Sequence, residues 1–202
     1  MADGITVSGG KSIGGIVGNA CTVTGCIANN ITVSGSAVSA GGIAGTAYGV
    51  ELFNSGEKPH YAGGSIIGCG VRTFTSTAEN SGGIVGTATA YNVSAYIKSC
   101  YAANIYLNGT NNGGIAGADG NENGHKILYC IVDNANNYPV IGKRTRSSAK
   151  TMILSVPADT GLTVEGVLSV LNAKSSGYGY WERSDSVNGG YPYPCRIFAE
   201  RN

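Results

Sequence analysis

The chain has 202 residues, of which 13 are basic and 12 acidic, for a formal net charge of +1. That balance excludes the electrostatic footprint of a nucleic-acid binder and a polybasic membrane patch. Hydrophobic residues at 42% are ample for a core, whereas charged residues at 12% are about half their usual share, so Ser, Thr, Asn and backbone must form the polar surface. Glycine, at 33 residues, is about twice as frequent as usual, and with only 5 prolines the chain is not a disordered Pro/Gly linker. No apolar run reaches the roughly 20 residues of a membrane span, so no membrane insertion is expected. The opening Met1-Ala2-Asp3-Gly4 has neither the basic region nor the apolar run of a signal peptide. The expectation is a removed leader, or exit from the cell without one.

Along the chain, Gly14-Gly15-Ile16-Val17-Gly18 returns as Gly41-Gly42-Ile43-Ala44-Gly45, Gly82-Gly83-Ile84-Val85-Gly86 and Gly113-Gly114-Ile115-Ala116-Gly117. A cysteine column marches with it: Cys26, Cys69, Cys100 and Cys130. From cysteine to the next double glycine there are 15, 13 and 13 residues, and a degenerate last repeat ends at Val140-Ile141-Gly142. Two residues after each cysteine stand Ala28, Val71, Ala102 and Val132; five after stand Ile31, Phe74, Ile105 and Ala135. Strand side chains alternate between faces, so the first of these columns shares a face with the cysteines. Units that cannot bury their apolar face alone must stack on their neighbours. The sequence therefore predicts an all-β fold, a parallel β-solenoid of four to five coils spanning residues 1–142, each coil made of about three short strands. The double glycines are expected at tight corners with positive φ. The column Asn30, Thr73, Asn104 and Asn134 is expected at another corner, with amides bonded along the stack. The cysteines read as buried free thiols.

The opposite arm varies. From the last glycine of each pentapeptide to the next cysteine there are 8, 24, 14 and 13 residues. Insertions at one corner of a repeat protein often build its binding face. The candidate partner-binding residues are therefore Tyr48, Glu51, Phe53, Lys58, His60 and Tyr61 in the longest insertion, Tyr91 and Asn92 in the next, and His125 in the last. Asp119, Asn121 and Asn123 match the opening of a calcium loop, but its twelfth position is Cys130 rather than a bidentate Glu, so an Asx-rich turn is the stronger reading. His60 and His125, two coils apart, read as solvated histidines rather than metal ligands. Otherwise no cofactor is expected.

Past Gly142 the pattern breaks. Val164, Val167, Leu168 and Leu171 follow helical spacing, with Thr163 as N-cap and Gly177 beyond the end, which predicts a short helix over Thr163–Ala173. Tyr178, Tyr180, Trp181, Tyr191 and Tyr193 follow. Residues 143–202 read as a C-terminal cap whose aromatics pack the helix onto the last coil and cover the open end; a sugar-stacking platform is the other reading of these rings.

The pentapeptide, together with Ser99-Cys100-Tyr101-Ala102-Ala103-Asn104, resembles the GLUG motif repeat over roughly residues 5–142. Trp181 with Val187-Asn188-Gly189-Gly190-Tyr191-Pro192-Tyr193 resembles the ending of many surface proteins of gut Bacteroidetes, over roughly 160–195. The resemblance implies a β-solenoid with an adhesive or structural role at the bacterial surface, and it supplies no catalytic residues. The expected function is a non-enzymatic adhesion or structural module, extracellular or on the cell surface, with a host glycan or protein, or neighbouring subunits, as partner. The alternatives are a phage virion fibre or decoration protein and a carbohydrate-active β-helix enzyme. The latter needs clustered carboxylates, and the 12 acidic residues are scattered.

Overall fold

The computed structural model describes residues 1–48, 50–52, 60–62, 64–89, 95–120, 125–132, 136–144, 152–154, 164–173 and 180–196. They form an all-β fold of parallel sheets with a single helix among them. Successive repeats contribute strands to four sheets rather than three. The arm sheet contains Ile27–Ser34, Gly70–Ser76, Tyr101–Leu107 and Ile131–Val132, with Ala2–Asp3 and Thr6–Ser8 at its first edge. The entry sheet, leading into each double glycine, contains Ser12–Gly14, Ser39–Gly41, Asn80–Gly82 and Asn111–Gly113. The exit sheet leaves it through Val17–Ala20, Ala44–Tyr48, Val85–Thr89, Ala116–Asp119 and Ile141–Arg144. The return sheet holds Thr22–Thr24, Ser65–Ile67, Ala95–Lys98, His125–Leu128 and Met152–Leu154.

The register follows the sequence columns. Val71 pairs with Ala28 and Ala102, Gly82 with Gly41 and Gly113, and Val85 with Ala44 and Ala116. Like residues one repeat apart therefore lie side by side, at the roughly 4.8 Å spacing of paired strands. Ile43, Ile84 and Ile115 join Ile31, Phe74, Ile105, Ile66, Ile97 and Ile127 in one buried cluster. Each such side chain contributes about 1.5–3 kcal/mol on leaving water. Cys69, Cys100 and Cys130 lie fully inside the same cluster as free thiols, and Cys26 is half-buried at its first end. Their Sγ atoms donate to carbonyls of the return strands: Cys100 to Lys98 O at 3.2 Å and Cys130 to Ile97 O at 3.4 Å. Burial pushes the Cys69 and Cys100 thiols well above the usual range. The hydrogen bond with Cys69, then burial, does the same to Cys26.

The double glycines turn the chain without positive φ, contrary to expectation. They are required by close approach instead. A Cβ on Gly42 would lie 2.5 Å from Gly83 O and 2.6 Å from a Val71 methyl, because neighbouring repeats bring backbone against backbone there. The left-handed corners fall at two other columns. One precedes the cysteines, where Gly25, Gly68, Ser99 and Tyr129 have φ of 64°, 63°, 50° and 55°. The other is the Asn30, Thr73 and Asn104 column, with φ of 50°, 60° and 53°. Asn is favoured there because it tolerates this region, rather than for an amide ladder. The Asn30 amide donates to Asp3 Oδ1 at 2.8 Å. Amides do bond along the stack, but in the entry sheet, where Asn111 Nδ2 donates to Asn80 Oδ1 at 2.8 Å. Asn134 and Ala135 lie outside the described residues.

The described part of the C-terminal segment lies on the outer face of the arm sheet, with the helix against the last arm strand, Ile131–Val132. The helix Val164–Ala173 buries Val167 and Leu171 against Ile27, Tyr101, Ala103, Ile131 and Trp181. The first four are the arm residues whose side chains point away from the main core, so the alternation that fills one face of each strand builds a second cluster on the other. Thr163 and Gly177 lie outside the described residues. An antiparallel pair, Tyr180–Glu182 with Tyr193–Arg196, completes the layer.

Candidate partner-binding edge

The variable edge lies where the exit sheet gives way to the return sheet. In four of the five exit-to-return connections the chain is lengthened; in the first, Val17–Ala20 runs almost directly into Thr22–Thr24. Tyr48 is half-buried at the end of its exit strand, in register with Thr89. Beyond it, Val50–Leu52 and His60–Ala62 form an antiparallel hairpin that belongs to none of the four sheets. Its register sets Glu51 opposite Tyr61 and Leu52 opposite His60. The chain then returns over Tyr48 at Gly64, where a Cβ would lie 2.6 Å from the Tyr48 backbone. His125 opens a return strand and pairs with Ala95 of the preceding repeat. Phe53, Lys58, Tyr91 and Asn92 lie outside the described residues.

The structure thus places Tyr48, Glu51, His60 and Tyr61 on one insertion and His125 on the same edge of a later repeat. Asp119 ends the strand Ala116–Asp119, pairs with Ala88 and Arg144, and is buried. Asn121 and Asn123 lie outside the described residues. Among the described residues no three His, Cys, Asp or Glu side chains are grouped to hold a metal ion. Two side chains absent from the sequence expectation flank the edge: the Lys126 ammonium sits 5.4 Å from the Tyr96 ring centroid, where the two strands pair side by side. Their i-to-i+30 spacing was visible in the sequence but carries no motif.

The aromatic tail has a different geometry. Trp181 is 2% exposed and meets the Tyr101 ring edge-on at 5.6 Å, so it is not available to stack on a sugar. Tyr191 stacks on Tyr101 at 6.3 Å, with the Arg72 guanidinium 5.4 Å from its centroid. Asn188 ties this layer down. Asn29 Nδ2 donates to its Oδ1 at 2.8 Å, and its own Nδ2 donates to Tyr101 Oη at 2.7 Å and Pro192 O at 2.9 Å. Arg72 Nη1 donates to Asn188 O at 3.1 Å. Asn188, Gly189 and Gly190 all have positive φ, and a Cβ on Gly189 would collide with the Arg72 guanidinium, which explains the Asn-Gly-Gly sequence. Burial pushes the Tyr101 hydroxyl well above its usual value, partly offset by the Asn188 hydrogen bond. Asn29, Arg72 and Tyr101 belong to three successive arm strands, so one turn of the tail grips three repeats.

Compared with protein-family models, curated proteins and solved structures, the chain matches none of them.

Proposed function

We propose that the chain is a parallel β-solenoid of GLUG-like repeats and serves as a non-enzymatic adhesion or structural module of a bacterial surface protein. It takes a glycan or protein partner at the exit-to-return edge. The observation that carries this reading is the asymmetry of the repeat: the entry-to-exit and return-to-arm turns keep their length, while the exit-to-return turn takes the longest insertions and carries a hairpin outside the sheets. A rigid stack with variable loops on one edge is a common way for repeat proteins to present a binding surface. Tyr48, Glu51, His60, Tyr61 and His125 supply aromatic and polar groups there, the chemistry that fits sugar rings and hydroxyls.

A glycan array with the full chain tests this. Binding is expected, and it should fall at least tenfold for Tyr48→Ala and Tyr61→Ala while Tyr106→Ala, at an exposed position on the arm sheet, leaves it unchanged. Equal loss in all three variants, or turnover of a polysaccharide, overturns the reading. Imaging that finds the chain inside a virion would replace the surface location with a fibre or decoration role.

A further inference from the structure

Four sulfurs stand in a row inside the stack. The residues that follow the cysteines pair from strand to strand, Ile27 with Gly70, Gly70 with Tyr101 and Tyr101 with Ile131. Cys26, Cys69, Cys100 and Cys130 are therefore stacked in register, at the roughly 4.8 Å spacing of paired strands. Cys69, Cys100 and Cys130 are 0% exposed. The column two residues on varies between Ala and Val, at Ala28, Val71, Ala102 and Val132, whereas this one is cysteine in every repeat. Filling space alone does not require sulfur each time.

The thiol protons are dispensable to the fold. Cys69 Sγ donates to Ile67 O at 3.4 Å, Cys100 Sγ to Lys98 O at 3.2 Å and Cys130 Sγ to Leu128 O at 3.5 Å. S–H is a weak donor. Each of these carbonyls also accepts a backbone N–H, from Gly25 at 3.1 Å, Gly68 at 3.0 Å and Ser99 at 3.0 Å respectively. Losing an S–H therefore leaves no buried acceptor unpaired. Cys69 Sγ already serves as an acceptor, for the Cys26 N–H at 3.5 Å.

We propose that the cysteine row is a binding site for copper(I), with one ion bridging each pair of neighbouring sulfurs. Two metal–sulfur bonds of about 2.3 Å in a straight line span about 4.6 Å, close to the strand spacing. Thiolate sulfur is soft and selects copper(I), which accepts two donors in a line. Structural zinc takes four ligands around one point, and among the described residues no three His, Cys, Asp or Glu side chains converge in that way. Four sulfurs in a row leave three gaps. Each ion takes the place of one thiol proton, which leaves as H+, and uses the neighbouring sulfur as its second donor. The net charge of the apolar interior is unchanged, so no uncompensated charge is buried. With the sulfurs enclosed, the ion enters as the chain folds, and its binding adds to stability.

The copper content of the full chain tests this, after refolding from urea under nitrogen with excess copper(I) and passage over a chelating resin. Three ions per chain are expected, one for each gap in the row. A thiolate-to-copper charge-transfer band and a urea midpoint above that of the chain refolded alone should accompany them. Cys130→Ala should retain two ions, and Cys100→Ala, which removes the sulfur shared by two gaps, only one. Cys21→Ala and Cys195→Ala, outside the row, should each retain three. Cys130→Ala decides the matter even where Cys100→Ala fails to fold. No copper left after the resin, equal copper in Cys130→Ala and the unaltered chain, copper lost with Cys21→Ala or Cys195→Ala, or zinc retained in the same amount under the same treatment overturns the proposal.

Discussion

At the scale of single residues, spacing and handedness make separate demands on the glycines. Gly42→Ala forces a methyl against Gly83 O and Val71, and should cost about 3 kcal/mol or more, read from urea unfolding. Gly9→Ala, at φ of 80° with nothing within 4 Å of the new Cβ, should cost only about 1–2 kcal/mol from the left-handed backbone. Equal costs would mean that close approach is not what the double glycine answers. Thr73, β-branched at φ 60°, carries strain its Asn30 and Asn104 counterparts avoid. Thr73→Asn should therefore raise the urea midpoint, by about 1 kcal/mol of stability with the slope unchanged. The cysteines were legible as buried thiols because their column keeps the phase of the apolar residues around it. Their burial should show directly: in the native chain a thiol reagent reaches Cys21, Cys26 and Cys195 at most, and Cys69, Cys100 and Cys130 react only after unfolding. The positive φ at Ser99 and Tyr129 was not legible, since only the Gly25 and Gly68 members of that column advertise it.

At the scale of elements, the pentapeptide and cysteine columns point to about three strands per repeat, whereas the structure has four. The signal for the fourth is present: three residues before each cysteine stand Val23, Ile66, Ile97 and Ile127, the inward side chains of the return sheet. The strands are only three or four residues long, too short for alternation alone to reveal. The helix over residues 164–173 is legible from its 3.6-residue period, but the turn that ties the tail to three repeats is not. Asn29, Arg72 and Asn188 are polar residues with no periodic pattern, and pairing them needs the folded stack. Trp181, the chain's only tryptophan, reports this docking by fluorescence. Tyr101→Phe removes the Asn188 partner and the donor to Pro192 O, and should cost about 1–2 kcal/mol of tail docking. The pH dependence follows from the same hydroxyl. Its folded pKa lies above the unfolded value of about 10, so its contribution is fully present below that pH. The contribution is lost as pH rises further, because only the unfolded state releases the proton readily. Trp181 emission should red-shift at progressively lower urea as pH climbs above about 10, and Tyr101→Phe should flatten that slope. An unchanged slope would place the titrating group elsewhere.

At the scale of the whole molecule, repetition explains why the parallel all-β architecture could be read from sequence while the partner could not. A stack requires equivalent residues at equivalent places, and that requirement is written four times over. A binding edge has no such requirement: Tyr48, Glu51, His60 and Tyr61 occur once, in an insertion of a length the other repeats do not share. Replacing residues 49–63 with the shorter connection of the first repeat should therefore preserve the circular dichroism spectrum and thermal midpoint within a few degrees. It should abolish partner binding. Collapse of the fold instead would make the hairpin a structural element.

The tail turn also dictates an order of events in time. Asn29 and Asn188 are 159 residues apart, whereas neighbouring repeats touch at separations such as the 31 residues between Asn80 and Asn111. Closing a loop about five times longer in an unfolded chain costs about 1.4 kcal/mol more, roughly a tenfold slower encounter. Three arm strands must also be aligned before the turn has all its partners. Refolding should accordingly show β-sheet signal first and Trp181 burial second, and Asn188→Ala should slow only the later phase; simultaneous phases would show that the tail helps to nucleate the stack it holds.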